Sequence, residues 1–247
     1  MWNAIKQWLI PEGAGSAVPE QDYAFEWYDP GPENPFGIRV LDCRPMTWNL
    51  VSATGNPAIA ESYVRLRAAD GKELVGDVIP NSIRIPISLH FPHNGARLEG
   101  IVFKADSMEV KWDIYIYDSV FLFARSWTGE LRFRAWATVG ETDIHITEIE
   151  CSQTDRDLAG AHIYFLIGTH AMGRVLPHRV PCEPSAEPLT IARLSFALFG
   201  KLACYAAFDD ITAIPIATNP RSSQRIARRP TRRWIGARGS VFDNLIV

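Results

Sequence analysis

Apolar and polar residues alternate strictly through the middle of the chain. Val110, Trp112, Ile114 and Ile116 interleave with Lys111, Asp113, Tyr115 and Tyr117, and Leu131, Phe133, Ala135, Ala137 and Val139 interleave with Arg132, Arg134, Trp136 and Thr138. A period of two puts each set on one face of a β-strand. Asp118-Ser119, Ser126 to Gly129 and Gly140-Glu141 supply turn-forming residues between the runs. The pattern predicts four hairpin-linked strands over residues 109–150, an antiparallel meander. Upstream, Ile83, Ile85, Ile87 and Leu89 alternate as a half-buried strand, and Pro86 pushes it to a sheet edge. His90 to His93 reads as the turn that follows, and Phe36, Ile38 and Val40 predict a strand entering Leu41 and Asp42.

Helical spacing flanks this block. Asn56-Pro57 is a helix start, because Asn caps free amides and Pro fits the first turn; Ile59, Tyr63 and Leu66 share a face, and Gly71 ends the helix. Thr154 and Asp157 resemble a capping box ahead of Leu158, Ala161, Phe165, Gly168 and Met172. Ser185 is placed to cap a further helix, with Ile191, Leu194 and Leu198 on one side and Gly200 at its end. Trp2, Ile5, Trp8 and Leu9 predict a short N-terminal helix halted by Pro11, with no secretory pattern. Val175 to Pro188 reads as a connector, and Leu202 to Phe208 with Ile211 to Ala217 as a final hairpin turning at Asp209-Asp210.

Strands in one block, without strand–helix alternation, predict an α+β fold: an antiparallel meander sheet packed by three to four amphipathic helices, with no parallel strand–helix–strand unit. Residues 1–218 are expected to form a single domain, whose first 35 residues hold the N-terminal helix and an acidic loop bearing Tyr23, Phe25, Trp27 and Tyr28. Residues 219–247 form an Arg-rich tail.

Composition adds the electrostatics. With 247 residues, 47% hydrophobic and 21% charged, the chain can bury a substantial core, which excludes wholly disordered and collagenous classes. No apolar run is long enough to span a bilayer, so no membrane partner is expected. The tail carries seven arginines against Asp243, a net +6; a chain of −3 therefore leaves −9 on residues 1–218. Nucleic acid, which is bound by neutralising phosphates, is expected only at the tail. Cys43, Cys151, Cys182 and Cys204 are scattered, which favours reduced thiols and a cytoplasmic location.

Candidate chemistry is sparse. The chain lacks the nucleophile-elbow, zincin, phosphate-loop and dinucleotide motifs. His90 and His93 have a ligand-like gap, but the spacing is common, and neither a metal nor a cofactor is expected. His162 reads as a helix-face residue and His170 as a last-turn cation. Cys43 lies between Asp42 and Arg44, whose effects on a thiol oppose each other, and reads as a buried structural residue. Glu148 and Glu150 share a strand face and are expected to pair with Arg132 and Arg134.

Two functions fit these features. The first is a non-catalytic cytoplasmic protein-interaction module, of inhibitor or immunity type, whose acidic aromatic surface meets a basic protein partner. The second is an enzyme or sensor that binds a phosphate-bearing small molecule or nucleic acid through the Arg and Trp face of the central sheet. The binding residues expected in either case are Arg44, Tyr115, Tyr117, Arg125, Trp127, Arg132 and Arg134, which combine guanidinium forks with stacking rings.

Overall fold

A computed structural model describes residues 22–52 and 54–216. The expected helix over residues 1–10 and the Arg-rich tail lie outside the described residues. The fold is α+β, with a large antiparallel sheet and four α-helices among the described residues. The strands are β1 (Trp27–Tyr28), β2 (Val40–Asp42), β3 (Ser82–Pro92), β4 (Gly100–Phe103), β5 (Trp112–Tyr117), β6 (Val120–Arg125), β7 (Leu131–Val139), β8 (Asp143–Ser152), β9 (Pro177–Arg179) and β10 (Tyr205–Ala207). The helices are α1 (Arg44–Thr47), α2 (Pro57–Ala68), α3 (Ala159–Leu166) and α4 (Pro188–Phe199). No described helix is long and apolar enough to cross a membrane.

The meander forms β5 to β8, and β3 and β4 extend it to six strands in the order β3-β8-β7-β6-β5-β4, every neighbour antiparallel. Asp118 and Ser119 both adopt positive φ, 49° and 62°, the geometry that matches a two-residue loop to strand twist. Pro86 lies on an edge strand, where a missing amide proton breaks no central ladder.

Several expected elements take another form. His90 and Phe91 are not in a turn: β3 runs to Pro92 and pairs His90 with His145. The capping box does not open a helix. Ser152 accepts from the Thr154 amide in a short 3-10 turn, and α3 begins at Ala159. Helix α4 starts at Pro188 with Glu187, not Ser185, before it. The final hairpin is absent, because β10 pairs antiparallel with β2 and parallel with β9 in a second sheet ordered β1-β2-β10-β9. The unit β9–α4–β10 is thus a parallel strand–helix–strand crossover, hidden from pattern reading because each strand has three residues.

Each face of the large sheet has its own fate. The row Ile114, Phe123, Phe133, Cys151 and Ile83 crosses five strands in register and faces the main core. Helix α3 covers that core, meeting β3 and β8 on one side and β9 of the small sheet on the other. Accordingly α3 is not amphipathic: all of it except Gly160 is buried. Aromatic rings join it to α4, with Phe165 4.5 Å from Phe199 between centroids.

Three histidines enter this apolar layer. His162, His170 and His178 are buried against Phe165 and Phe199. His178 has no hydrogen-bond partner on either ring nitrogen and His170 none on Nε2, among the described residues. Burial lowers their pKa values to about 4 for His162 and about 3 for His170 and His178, so His170 is a neutral core residue rather than a last-turn cation.

The end of α4 is closed by side chains from the large sheet. Arg125 donates to the carbonyls of Ala197 and Leu198, at 2.9 Å each, and Trp112 Nε1 donates to Leu198 O at 2.6 Å. These are carbonyls that the helix cannot satisfy itself. Gly200 follows with φ +65° and ψ −142°, and a Cβ there would lie 1.7 Å from the carbonyl oxygen of Glu109. Gly200→Ala should therefore cost roughly 3 kcal/mol or more, read as a lower urea midpoint.

Acid should also unfold the protein early. The unfolded chain, with histidine pKa near 6.5, binds protons that the buried rings refuse, so stability is complete above about pH 6.5 and falls as pH drops towards 3 to 4. At pH 5 each ring costs about 2 kcal/mol, so the three together approach a typical total stability of about 5–15 kcal/mol. Circular dichroism across this range should show a cooperative loss, and His178→Leu should move its midpoint to lower pH.

Candidate functional site

The residues expected to bind a ligand lie at several separate places. Arg44, at the start of α1, grips Asp42 with Nε on Oδ1 at 2.8 Å and a terminal nitrogen on Oδ2 at 2.6 Å, and its guanidinium lies 4.8 Å from the Tyr205 ring centre. Arg125 is partly buried and committed to its capping role at the end of α4, and desolvation pushes its pKa down to about 10. Trp127 donates to Met108 O at 2.7 Å, and Lys111 Nζ lies 4.3 Å from its ring centre.

The opposite face of the sheet gathers the others in one row: Tyr115, Leu122, Arg134, Glu150 and Arg84 are neighbours across five strands. Half of that row is covered. Leu74 and Ile79 pack on Tyr115, Tyr117, Leu122 and Ala124, and Gly71 lets the chain pass so closely that a Cβ would strike the Tyr115 ring. Tyr117 donates to Asp70 O at 2.8 Å. The other half is an ion-pair ladder, in which Arg134 meets Glu150 at 2.7 Å and also donates to Asp77 O. Arg132 pairs with Asp155 at 3.0 Å and Glu130 at 2.8 Å, while Glu148 pairs with Arg84 at 3.0 Å. The expected partner of Glu150 is thus found, whereas Glu148 turns to β3 rather than to Arg132.

Beneath α2 lies a charge cluster in which only Tyr115 was singled out. Asp113 is buried and receives Arg67 through two nitrogens at 3.1 and 2.8 Å, with Lys104 at 3.6 Å. Lys104 also donates to Tyr115 Oη at 2.5 Å. Burial raises the Tyr115 pKa and lowers that of Lys104. The cluster ties α2, β4 and β5 together, and a small cavity of about 150 Å³ opens beside Asp113 and Tyr115.

The histidines and Cys43 are equally engaged. His90 stacks on His145 at 4.1 Å, with Asp143 Oδ2 3.3 Å from its Nδ1, and His93 donates through Nε2 to Ala96 O at 2.9 Å. No group of three metal-ligating side chains stands together among the described residues. Burial pushes the Cys43 thiol up to about 12, leaving it protonated. The acidic loop is pinned by its rings: Trp27 stacks on Phe208 at 6.2 Å, and Asn34, buried, donates to Tyr28 O and Ile38 O.

Open space exists elsewhere. A groove of about 290 Å³ runs between the edge strand β3 and the first turn of α3. Its floor is Ile85, Ile87 and Ile149, and its walls carry Arg156, Arg179 and Asp157. Neither guanidinium has an ion-pair partner among the described residues. Asp210, at one end, is occupied by the Thr212 amide and hydroxyl at 2.9 and 2.8 Å. Gly160 brings α3 close enough that a Cβ would lie 2.6 Å from Ile87 Cδ1. These residues come from five separate segments, and only Pro86, marking β3 as an edge, hinted at the place.

Compared with known proteins, the chain matches no family model, no curated protein and no solved structure.

Removing Arg67 strips Asp113 of its main counter-charge in the interior. Arg67→Met should cost about 3 kcal/mol, the lower end for a broken buried pair because Lys104 stays nearby; chemical denaturation would measure it.

Proposed function

We propose that the protein is a non-catalytic interaction module that docks a partner protein in the groove beside β3. The observation that carries this reading is the pairing of an apolar floor with two arginines, Arg156 and Arg179, that have no ion-pair partner among the described residues. At about 290 Å³ the groove lies at the lower limit for a small-molecule pocket, and suits one or two side chains of a protein segment. Pro86 removes a backbone donor from this edge, so recognition runs through side chains rather than through strand addition. The partner supplies an acidic residue beside an apolar one. At longer range, −9 on residues 1–218 draws a partner that is basic overall, so the acidic anchor would stand in a basic surface.

The alternative, a phosphate held on the Arg and Trp face, would have to displace Glu150 from Arg134, Asp155 from Arg132 and helix carbonyls from Arg125. The four cysteines are free thiols, which supports a cytoplasmic setting, and inhibitor- or immunity-type activity remains the proposed biological role.

Affinity capture from the native host, run side by side on wild type, Arg156→Glu/Arg179→Glu and an Arg97→Glu control, tests this reading. A partner retained by wild type and control, and weakened at least tenfold by the groove variant, is expected. Gly160→Ala, which crowds Ile87 without changing charge, should weaken the same partner. A partner insensitive to both groove variants would remove the proposal.

A further inference from the structure

A second site is built around a buried amine. Lys111, on the residue before β5, is 8% exposed and lies between two rings, with Nζ 4.3 Å from the Trp127 ring centre and 4.8 Å from that of Phe196. It donates to Met108 O at 2.8 Å and to Ser52 Oγ at 3.0 Å. Ser52 lies in the loop between α1 and α2 and is less deeply buried than the amine it contacts.

The surroundings hold this pair in place. The Ser52 amide donates to Glu109 Oε1 at 2.8 Å, which orients the loop, and Glu109 Oε2 meets Lys201 at 3.5 Å. The backbone of Glu109 is pressed against Gly200 and accepts from the Lys201 amide at 3.0 Å, while Lys111 O accepts from the Ser126 amide at 3.1 Å. Loop, β5 and the end of α4 therefore converge on one hydroxyl–amine contact. A nucleophile within hydrogen-bond reach of a base that is itself positioned by its surroundings is the arrangement covalent chemistry requires.

We infer that Ser52 is a nucleophile with Lys111 as its base, able to accept an acyl or phosphoryl group from an activated ester. In that step the neutral amine of Lys111 takes the proton from Ser52 Oγ as the oxygen bonds to carbon or phosphorus. The bond to the leaving group breaks and the leaving group departs with the electron pair. The products are a Ser52 ester and a Lys111 ammonium. Lys111 is suited to the task because burial, reinforced by Arg125 and Lys201, brings its pKa down to about 7 against the opposing pull of Glu109. The amine form accordingly grows as pH rises through neutrality.

A fluorophosphonate probe, followed by intact mass and peptide mapping on the full chain, tests the assignment. One adduct on Ser52 is expected, with a rate that rises between pH 6 and 8, abolished by Ser52→Ala and slowed about 10²-fold or more by Lys111→Met. No adduct on wild type, an adduct that survives Ser52→Ala, or a rate flat in pH overturns it. Ser52→Cys gives a reading that does not require Lys111 to be replaced. The introduced thiol should react with iodoacetamide with a midpoint below the ordinary value of about 8.5, and a midpoint at or above that value overturns the assignment.

Discussion

Helix α3 is the member on which the rest of the molecule depends. It is packed by the large sheet on one side and by β9 on the other, so it has almost no wet surface and contributes apolar contacts in two directions. Through Phe165 and Phe199 it fastens α4, and α4 carries the crossover that builds the small sheet. The same dryness explains the neutral histidines: a ring placed in this layer has no water to stabilise a charge. The main core is consequently shared by both sheets, with Phe36, Val40 and Tyr205 of the small-sheet region joining Trp112, Phe123 and Phe133.

Most charged groups in the interior are held by a backbone carbonyl or a carboxylate, whereas the neutral ring nitrogens of His178 stay without a hydrogen bond among the described residues. Arg125 illustrates the first case. A guanidinium with its aliphatic stem in an apolar layer finds a stable place at the negative end of α4, where uncapped carbonyls lie within reach. Arg134 and Arg132 are held by carboxylates of the adjacent strand and turn, and Arg67 by Asp113. Arginines committed in this way stabilise the sheet and are poorly placed to receive an outside anion. Arg156 and Arg179 differ because their elements end at a groove rather than at an opposing strand.

The groove and the Ser52–Lys111 contact use different physics. The first offers surface, charge and apolar area to a partner of complementary shape. The second depends on water being excluded from an amine that contacts the hydroxyl of a partly exposed loop residue. Neither requires the other, and the two lie on different elements: β3 and α3 in one case, the α1–α2 loop and β5 in the other.

The alternation of residues 110–139 was enough to define the meander, because period two has only one consistent solution when one face must be dry. Pro86 was enough to place β3 at an edge, and Asn56 with Pro57 to start α2, whose cap accepts from the Ala58 amide. These are local properties of backbone and pattern. Strands β2 and β10 lie within expected strand segments, but β9 falls in the expected connector and the pairing of β10 with β2 and β9 is not legible, because three residues carry no period; α3 is dry on two sides because it packs on β9 as well as on the large sheet, a contact set by the stacking of layers. The arginine partners, the groove and the contact between Ser52 and Lys111 join segments far apart in the chain. Their distances are set by how layers stack, a three-dimensional condition to which spacing along one dimension is blind.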